Sequence, residues 1–499
     1  MRIFSRILIS ASTLVLASSL VSAAPPNRQY AQTCREIERR VSSASAVAYP
    51  GSDQYAQDIL HPYASSTQES ACTVQPGTPE DAALILTIVG KNKTPYGVKS
   101  GGHTTNPGWS SSPGVLIVTS RFNGVSYDPA TNIASVGPGQ TGEQVYQKLE
   151  PYNVSAALGR VKGVGVGGFT LGGGYSWMTN LVGLSCDTVV AFEVALPTGK
   201  VVTATSKKNE DLFFALKGAG GNNLGVVTRI DYTAIPQPAV WGGLNVYLES
   251  SLDQLAEAVA HFEDTNNDNN AVIGVTFAYD PSQGGLFASV FFYYHGPSPP
   301  SGTFDAVLAV PAASSTLMTT SLTNLVSAFV VNPPVRPRTL WRSVSIADYS
   351  VPLIKTIAAQ VKLHGPEAFQ RSATQFTMAV EPFTQDIFNH QPNGPAAFYH
   401  QPGTFFAPSV VNLYWTDESQ DEWFHNTLKE INANVTNFAA SEAGGFQPVL
   451  PPNVTLYPNY AAYDTPTSLL FGPNIQRLKE IQAKYDPRGV TKLTSGWKF

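Results

Sequence analysis

His103 lies in the stretch "VKSGGHTTNPG", residues 98–108, between two glycines and two threonines. Glycine has no Cβ, so the flanking glycines let another molecule approach the backbone and the imidazole closely. The segment therefore offers an accessible imidazole for chemistry. Taken alone, however, these residues favour an ordinary solvent-exposed loop histidine, because a short motif is only a hypothesis.

Three glycine-dense segments occur in one block of the chain: "KSGGH", "GVGVGGFTLGGG" and "GAGGNNLG". One such loop is usually a set of tight turns, but backbone N–H groups in these loops can also approach a pyrophosphate. Three together favour a large anionic or planar ligand. Gly163, Gly165 and Gly168 also spell G-x-G-x-x-G, yet the three consecutive glycines that follow would break the helix of a nicotinamide-dinucleotide site. We therefore reject that interpretation.

Composition excludes several classes of protein. The chain has 499 residues, of which 43% are hydrophobic and 13% are charged, so we expect two or three ordered domains with a sizeable core. A net charge of −5 argues against a nucleic-acid partner. Eight scattered histidines, without C-x-x-C or H-E-x-x-H, argue against a dedicated metal site.

Residues 1–23 predict a secretory signal peptide, because Arg2 and Arg6 precede an apolar run that ends in small residues before Pro25. No other stretch approaches ~20 apolar residues, so we expect a secreted protein without a membrane span.

Secretion permits a disulfide, and we pair Cys34 with Cys72 across the short N-terminal segment. Cys186 lies in the apolar stretch "GLSCDTVVAFEV" and is expected to be a buried free thiol. Four N-x-S/T sequons predict surface glycan sites, at Asn92, Asn153, Asn434 and Asn453.

Alternating helices and strands must position these motifs from Thr73 to about Pro236. The stretch "TPEDAALILTIVGKN" predicts a helix capped by Thr78, and "TGEQVYQKLEPYN" predicts a helix capped by Thr141. "YGVKS" predicts the strand that enters the SGGH loop. From about Val240 the pattern changes: "GGLNVYLESS" and "GGLFASVFFYYH" predict strands, while "LDQLAEAVAHFEDT" and "EWFHNTLKEINANV" predict amphipathic helices. This indicates a second α+β domain.

In its glycine-dense segments and a few other short motifs, the sequence resembles the berberine-bridge-enzyme-like, oxygen-dependent FAD-linked oxidoreductases. The resemblance rests on "SGGH", "GRVKGVGVGGFTLGGGY", "DLFFALKGAGGNNLGVVT", "YPNY" and "YDP". It implies an α+β fold: a PCMH-type (vanillyl-alcohol-oxidase-like) FAD-binding domain plus an α+β substrate domain with an antiparallel sheet. We accordingly expect the FAD-binding domain at residues 72–237, the substrate domain at 238–455, and a C-terminal segment, 456–499, that returns to the FAD domain.

The resemblance implies that His103 is bonded covalently to the 8α-methyl group of FAD. Val161 stands where many members carry a cysteine that forms a second bond, so we expect a single covalent bond. Val164 matches the position that gates O2, where a small side chain leaves a path. Lys99 replaces the usual arginine and keeps its charge without its planar fork. Further positions implied to bind FAD are Ser100, Gly101, Gly102, Gly165, Gly168, Gly173, Val227 and Asn459.

The motif "YPNY" resembles a Tyr-x-Asn-Tyr motif whose tyrosine takes a substrate proton while hydride passes to the flavin. Tyr457 is the implied base, and neighbours must lower its reference pKa of ~10 for this work. Glu381 in "MAVEPF" is the second candidate, because some members use a glutamate from the substrate-domain sheet. Simple packing between the domains is the alternative for these tyrosines.

We expect a secreted, monomeric oxidase that carries out two-electron oxidation of a small molecule, either a secondary metabolite or a sugar. O2 is the expected acceptor and H2O2 the expected product. One alternative is an FAD-dependent dehydrogenase or oxidative cyclase with another acceptor. Another is a catalytically idle, flavin-carrying binding protein.

Overall fold

The fold is described by a computed structural model that covers residues 28–328, 336–442 and 454–499. The predicted signal peptide, residues 1–23, and the sequon at Asn453 lie outside the described residues. The α-helices are α1 (Ala31–Arg40), α2 (Asp53–Ile59), α3 (Pro79–Asn92), α4 (Gly142–Leu149), α5 (Val166–Leu171), α6 (Thr179–Val182), α7 (Glu210–Ala219), α8 (Leu252–Thr265), α9 (Asp305–Leu308), α10 (Leu322–Ala328), α11 (Val351–Gln370), α12 (Asp421–Glu442), α13 (Ser468–Phe471) and α14 (Ile475–Tyr485).

An N-terminal sheet supports the SGGH loop. Its strands are β1 (Ala46–Ala48), β2 (Cys72–Gln75), β3 (Tyr96–Lys99) and β4 (Val115–Val118). They lie in the order β1–β2–β4–β3, with β1 antiparallel to β2 and the other pairs parallel. Helix α3 joins β2 to β3, and the predicted cap Thr78 accepts a hydrogen bond from the Asp81 N–H at 3.1 Å. The SGGH loop therefore starts at the end of a firmly paired strand.

A second sheet is antiparallel throughout. Its strands are β5 (Val125–Asp128), β6 (Ile133–Val136), β8 (Val189–Ala195), β9 (Val201–Ala204) and β10 (Val226–Thr233), in the order β5–β6–β10–β8–β9. A short pair, β7 (Val154–Ser155) with β11 (Ile235–Pro236), lies beside it. The longest glycine-rich segment runs between β7 and β8. Within that segment helix α5 ends at Leu171 and Gly172 follows, as the run of glycines predicts.

The third sheet is the large antiparallel sheet predicted for the second domain. Its strands are β12 (Val240–Leu248), β13 (Ala271–Asp280), β14 (Gly285–Tyr294), β15 (Ser314–Ser315), β16 (Met318–Thr320), β17 (Arg338–Ile346), β18 (Ala373–Val380) and β19 (Ala407–Trp415). They lie in the order β15–β12–β14–β13–β18–β19–β17, and β16 also pairs with β12. The predicted boundary near residue 237 falls between β11 and the first strand of this sheet.

The large sheet has an apolar face and a face that lines a cavity. Along β18, Phe376 and Met378 point into the core that helices α8, α11 and α12 cover. The alternate residues Gln375 and Thr377 line the cavity. Because side chains of a strand alternate between its two faces, one strand contributes both to the core and to the site.

The cysteines are arranged as predicted. Cys34 and Cys72 form a disulfide with their Cα atoms 6.1 Å apart, and the bridge ties α1 to β2 within an apolar cluster. Cys186 is a buried free thiol.

The sequons that the structure describes differ in exposure. Asn153 and Asn434 are exposed. Asn92 is half-buried, and its side-chain amide donates to Glu36 Oε2 at 3.0 Å. Within the described ranges, no helix combines the length and apolar character needed to cross a membrane.

Candidate active site

A cavity of about 760 Å³ lies between the glycine-dense segments and the large sheet. This volume is typical of small-molecule and cofactor sites, which enclose roughly 300–1,000 Å³. All three glycine-dense segments reach the cavity, through residues such as Gly101, Gly168 and Gly220. Strands β13, β14, β18 and β19 form the opposite wall. Segments that are far apart in the chain therefore build one site.

Two of the glycine segments touch each other at Gly101 and Gly165. A Cβ on Gly101 would lie 2.5 Å from the Gly165 nitrogen, and a Cβ on Gly165 would lie 2.2 Å from the Gly101 nitrogen. At Gly168 and Gly221, which line the cavity, a Cβ would meet no atom of the described chain within 4 Å. Glycine therefore permits the close contact of the loops and keeps an open wall of bare backbone.

His103 lines this cavity just after the end of β3. The Tyr63 hydroxyl lies 3.4 Å from Nε2 of His103, and the two rings meet edge to face with centroids 5.4 Å apart. Burial lowers the pKa of His103 to about 4. The imidazole is therefore neutral near pH 7, and one of its ring nitrogens keeps a free lone pair.

Lys99 supports the SGGH loop from behind. Its Nζ donates to the Asp58 carbonyl at 2.7 Å, and burial lowers its pKa to about 8. Gly102 packs directly over it with φ +69°, and a Cβ there would lie 2.9 Å from Lys99 Cε and 3.0 Å from His61 Cδ2. The position before His103 thus requires glycine for two reasons, its positive φ and the lack of space.

Val161 and Val164 both line the cavity. The Val164 carbonyl accepts a hydrogen bond from Gly142 N–H at 3.0 Å, which fixes its backbone. Its side chain packs against Gly159, where an added Cβ would lie 3.0 Å from Val164 Cβ. Val161 carries no sulfur, so a thioether to a ligand cannot form there.

Tyr457 and Asn459 reach the cavity from the C-terminal segment, as predicted. The Tyr457 hydroxyl accepts hydrogen bonds from Gly174 N–H at 3.1 Å and from Asn459 Nδ2 at 2.9 Å. Asn459 Nδ2 also lies 3.0 Å from the Phe169 carbonyl. Tyr457 is 2% exposed, and burial raises its pKa to about 12 despite these donors. It is therefore protonated near neutral pH.

Arg160, Glu381 and Tyr460 converge at the cavity. Arg160 Nη2 lies 2.7 Å from Glu381 Oε1 and 2.7 Å from the Tyr460 hydroxyl, which donates to Glu381 Oε1 at 3.1 Å. The Arg160 and Glu381 side chains are 13% and 8% exposed. Burial acts to lower the pKa of Arg160, but the Glu381 carboxylate raises it above its usual value, so the guanidinium stays charged.

The second carboxylate oxygen of Glu381 is different from the first. Glu381 Oε2 is buried and has no hydrogen-bond partner among the described residues. A buried acceptor without a partner is costly, and such atoms are usually satisfied by water or a ligand. Glu381 itself lines the cavity.

Trp341 connects the two halves of the site. Its ring lies edge-on to His103 at 5.8 Å and to Tyr460 at 5.9 Å. Further cavity-facing side chains of the large sheet are polar or aromatic: Thr276, Ser289, Phe291, Gln375, Thr377, Asn412 and Tyr414.

The predicted site residues come together, with one exception. His103, Tyr457 and Glu381 all line the cavity, as do the other predicted FAD-binding positions apart from Gly173. Gly173 lies just outside the lining, where φ is +112° and a Cβ would lie 3.4 Å from the Tyr457 ring. The turn at Gly173 directs the N–H group of Gly174 toward the Tyr457 hydroxyl, which accepts its hydrogen bond.

Sequence reasoning missed several residues of the site. Arg160 was overlooked although it directly precedes Val161 and is the only charged residue between Leu158 and Val161. Trp341 lies in a stretch whose residues alternate as in a strand, and no motif around it indicates a functional role. Tyr63 precedes every motif, and nothing in its sequence neighbourhood indicates a role.

Two family models match the chain. Residues 70–205 match the model described as FAD binding domain, and residues 456–493 match the one described as berberine and berberine like. The FAD-dependent monooxygenase drtC of Aspergillus calidoustus is 30% identical over 500 residues, which cover 94% of this chain and 90% of that protein. The chain belongs to the berberine-bridge-enzyme-like family of FAD-linked oxidoreductases. The predicted family and enzyme class are thereby confirmed.

Other berberine-bridge-enzyme-like and related proteins agree with this assignment. The FAD-dependent monooxygenase tpcD of Cochliobolus heterostrophus is 31% identical, with 86% of this chain and 84% of that protein covered. The solved structure of 6-hydroxy-D-nicotine oxidase from Arthrobacter nicotinovorans matches with a TM-score of 0.76 at 18% identity, covering 92% of this chain and 98% of that one. Carbohydrate oxidase from Microdochium nivale matches with a TM-score of 0.73 at 20% identity, covering 91% and 98%. These structures confirm the predicted PCMH-type, α+β fold.

The residues of this berberine-bridge-enzyme-like chain fit FAD. The bare backbone at Gly168 and Gly221 leaves space that any side chain would fill. Ser100 and Val227 contribute to the same lining, and the neutral imidazole of His103 lies on it. The cavity volume of about 760 Å³ lies in the range of small-molecule and cofactor sites.

Proposed function

We propose that this protein is a secreted, monomeric FAD-linked oxidase that removes two electrons and two protons from a small molecule and reduces O2 to H2O2. The observation that carries the proposal is Glu381, a cavity-lining residue with one oxygen held by Arg160 and the other without a partner among the described residues. A carboxylate oxygen that no other group occupies can accept a proton from a substrate at such a site.

Glu381 is the preferred proton acceptor in this proposal. Its Oε2 offers a lone pair that no described residue occupies. The Tyr457 hydroxyl, by contrast, already accepts two hydrogen bonds, and burial raises its pKa to about 12. The order of the two candidates is therefore the reverse of the one predicted from the sequence.

Arg160 and Tyr460 hold the acceptor in place. Both contact Glu381 Oε1, so the carboxylate cannot rotate freely and Oε2 keeps its direction. When bound, FAD supplies the acceptor for the hydride that leaves the substrate. The protein residues supply the proton acceptor, the orientation of the substrate against the sheet, and the exclusion of water.

We further propose a single covalent bond to FAD, through His103. Its support is the neutral imidazole at the cavity wall and the valine at position 161. The small side chain of Val164 at the cavity supports access of O2. The Cys34–Cys72 bridge supports export, because disulfides persist in oxidising compartments.

A second candidate function is monooxygenation, which the names of the curated relatives suggest. In that reaction one atom of O2 enters the product and the other leaves as water, with two electrons and two protons supplied by the substrate or by a separate reductant. Oxidation by the proposed route instead transfers both oxygen atoms to H2O2.

The experiment that tests the proposal is a substrate panel with isotopically labelled O2. Sugars, aromatic alcohols and amines are mixed anaerobically with the purified protein, and bleaching of the flavin absorbance identifies substrates. After O2 is admitted, an oxidase yields one H2O2 for each product, and the product carries no label. Labelled product would establish monooxygenation. Bleaching that air does not reverse would indicate a dehydrogenase, and no bleaching by any compound would favour an idle flavin-carrying protein.

A further inference from the structure

Tyr63 contacts Nε2, one of the two ring nitrogens of His103. Its hydroxyl lies 3.4 Å from His103 Nε2, and its ring meets the imidazole edge to face. Tyr63 is completely buried, so water does not compete for this contact.

The backbone around Tyr63 is fixed on both sides. Its carbonyl accepts hydrogen bonds from Ser66 Oγ at 3.2 Å and Thr67 Oγ1 at 3.1 Å. The next residue, Ala64, donates its N–H to the Pro337 carbonyl at 2.8 Å, beside the start of β17. The hydroxyl of Tyr63 is thus held at a defined position beside His103.

Tyr414 is a second neighbour of Tyr63. Tyr414 lies against Tyr63 with ring centroids 6.0 Å apart. Burial raises the pKa of both tyrosines, and their mutual hydrogen bond raises that of Tyr63 further while it acts to lower that of Tyr414. The Tyr63 hydroxyl therefore has a second polar neighbour besides His103, to which it can donate its proton while its oxygen accepts from Nε2.

We propose that Tyr63 is a positioning residue for the covalent attachment of FAD. Its hydroxyl oxygen accepts the Nε2–H of His103, which selects one tautomer of the neutral imidazole and leaves the lone pair on Nδ1. That nitrogen forms the bond to the flavin methyl carbon. This inference rests on the His103 bond of the proposed function.

The attachment balances with O2 as the oxidant. A bond forms between Nδ1 and the methyl carbon, one C–H bond of the methyl group breaks, and the imidazole loses its N–H proton. The two electrons released reduce O2, and with the two protons they give H2O2. The Nε2–H proton that leaves is the one that Tyr63 contacts, so the same hydroxyl orients the ring and lies on the path of the proton.

The test is the fraction of bound flavin that stays with the denatured polypeptide. Tyr63→Phe keeps the aromatic ring and removes the hydroxyl. Protein harvested at fixed times is acid-precipitated, and the flavin in the pellet is compared with the total flavin bound before precipitation. We expect normal total flavin and roughly tenfold slower attachment, about the effect of one oriented hydrogen bond. Tyr55→Phe is the matched control, because Tyr55 is also buried and its hydroxyl bonds only the Ser70 backbone among the described residues.

Each outcome decides the proposal. Attachment at the unchanged rate in Tyr63→Phe, or an equal loss in Tyr55→Phe, would overturn the role of Tyr63 while leaving the His103 bond intact. If Tyr63→Phe does not accumulate as folded protein, Tyr414→Phe takes its place, because it removes the neighbour to which the Tyr63 hydroxyl can donate and should give an intermediate rate. A normal rate in Tyr414→Phe would then contradict the proposal. Absence of pelleted flavin from the unchanged protein would refute the His103 bond and this inference together.

Discussion

Replacing Arg160 by methionine would leave the Glu381 carboxylate without its counter-charge in a nearly dry site. The two side chains are 13% and 8% exposed, so the solvent screening that weakens surface ion pairs is largely absent. Methionine approximates the length of arginine and is flexible enough to fill its space. The substitution therefore tests the charge with little change in packing.

The expected loss of stability follows from this burial. Removing one partner of a buried ion pair costs about 3–5 kcal/mol, because a charge remains in a medium that solvates it poorly. Tyr460 still donates to Glu381 Oε1 and offsets part of the cost. We expect a decrease of about 3 kcal/mol in the free energy of unfolding. The double variant Arg160→Met/Glu381→Leu should recover most of it, because neither charge is then buried.

The assay is urea unfolding followed by tryptophan fluorescence. Lys362→Met is the matched control, since it removes an ion pair with Glu249 whose side chains are 62% and 46% exposed. Exposed pairs contribute about 0–1 kcal/mol, so the control should change little. On the same preparations, anaerobic flavin reduction should slow by about 10²-fold in Arg160→Met, because Glu381 is no longer held in its reactive direction. Arg160→Lys keeps the charge without the planar fork and should be intermediate.

Two results would refute this reasoning. If the free energy of unfolding falls no more in Arg160→Met than in Lys362→Met, then solvent screens the Arg160–Glu381 ion pair in solution. A double variant as unstable as Arg160→Met would show that lost packing, and not uncompensated charge, causes the destabilisation.

Three further outcomes are expected. Val164→Leu should slow reoxidation by O2 roughly tenfold or more and leave anaerobic reduction unchanged, since one added methylene in a tight pocket is worth about 1–3 kcal/mol; stopped-flow absorbance measures both, and unchanged reoxidation would remove Val164 from the oxygen path. Cys34→Ala with Cys72→Ala should lower the free energy of unfolding by about 4 kcal/mol, from the entropy of a closed loop spanning a sequence separation of 38 residues; equal urea midpoints with and without the bridge would contradict this. Glu381→Gln should slow flavin reduction by about 10²–10⁴-fold and Tyr457→Phe by only a few-fold, and the opposite pattern would return the proton-accepting role to Tyr457.

The sequence alone determined the features that depend on neighbouring residues. The glycine segments, the caps Thr78 and Thr141, and the end of α5 at Leu171 all follow from local backbone preferences. The alternation of the large-sheet strands is also local, because it depends only on which face each side chain takes. These features, with the resemblance to a known family, were enough to predict the fold and the FAD-binding domain and to single out His103, which the structure places at the cavity.

Only the tertiary structure decided which polar groups face one another. Arg160 meets Glu381 across a sequence separation of 221 residues and Tyr460 across 300. No local pattern predicts such a pair, because an isolated arginine in a glycine loop prefers water and becomes stable in the interior only when a carboxylate arrives from the large sheet. The contact of Tyr63 with His103 has the same origin, since folding of the N-terminal segment against β17 brings the hydroxyl to the imidazole. The proposed proton acceptor and the contact that supports the proposed flavin-linking histidine are therefore properties of the packed chain.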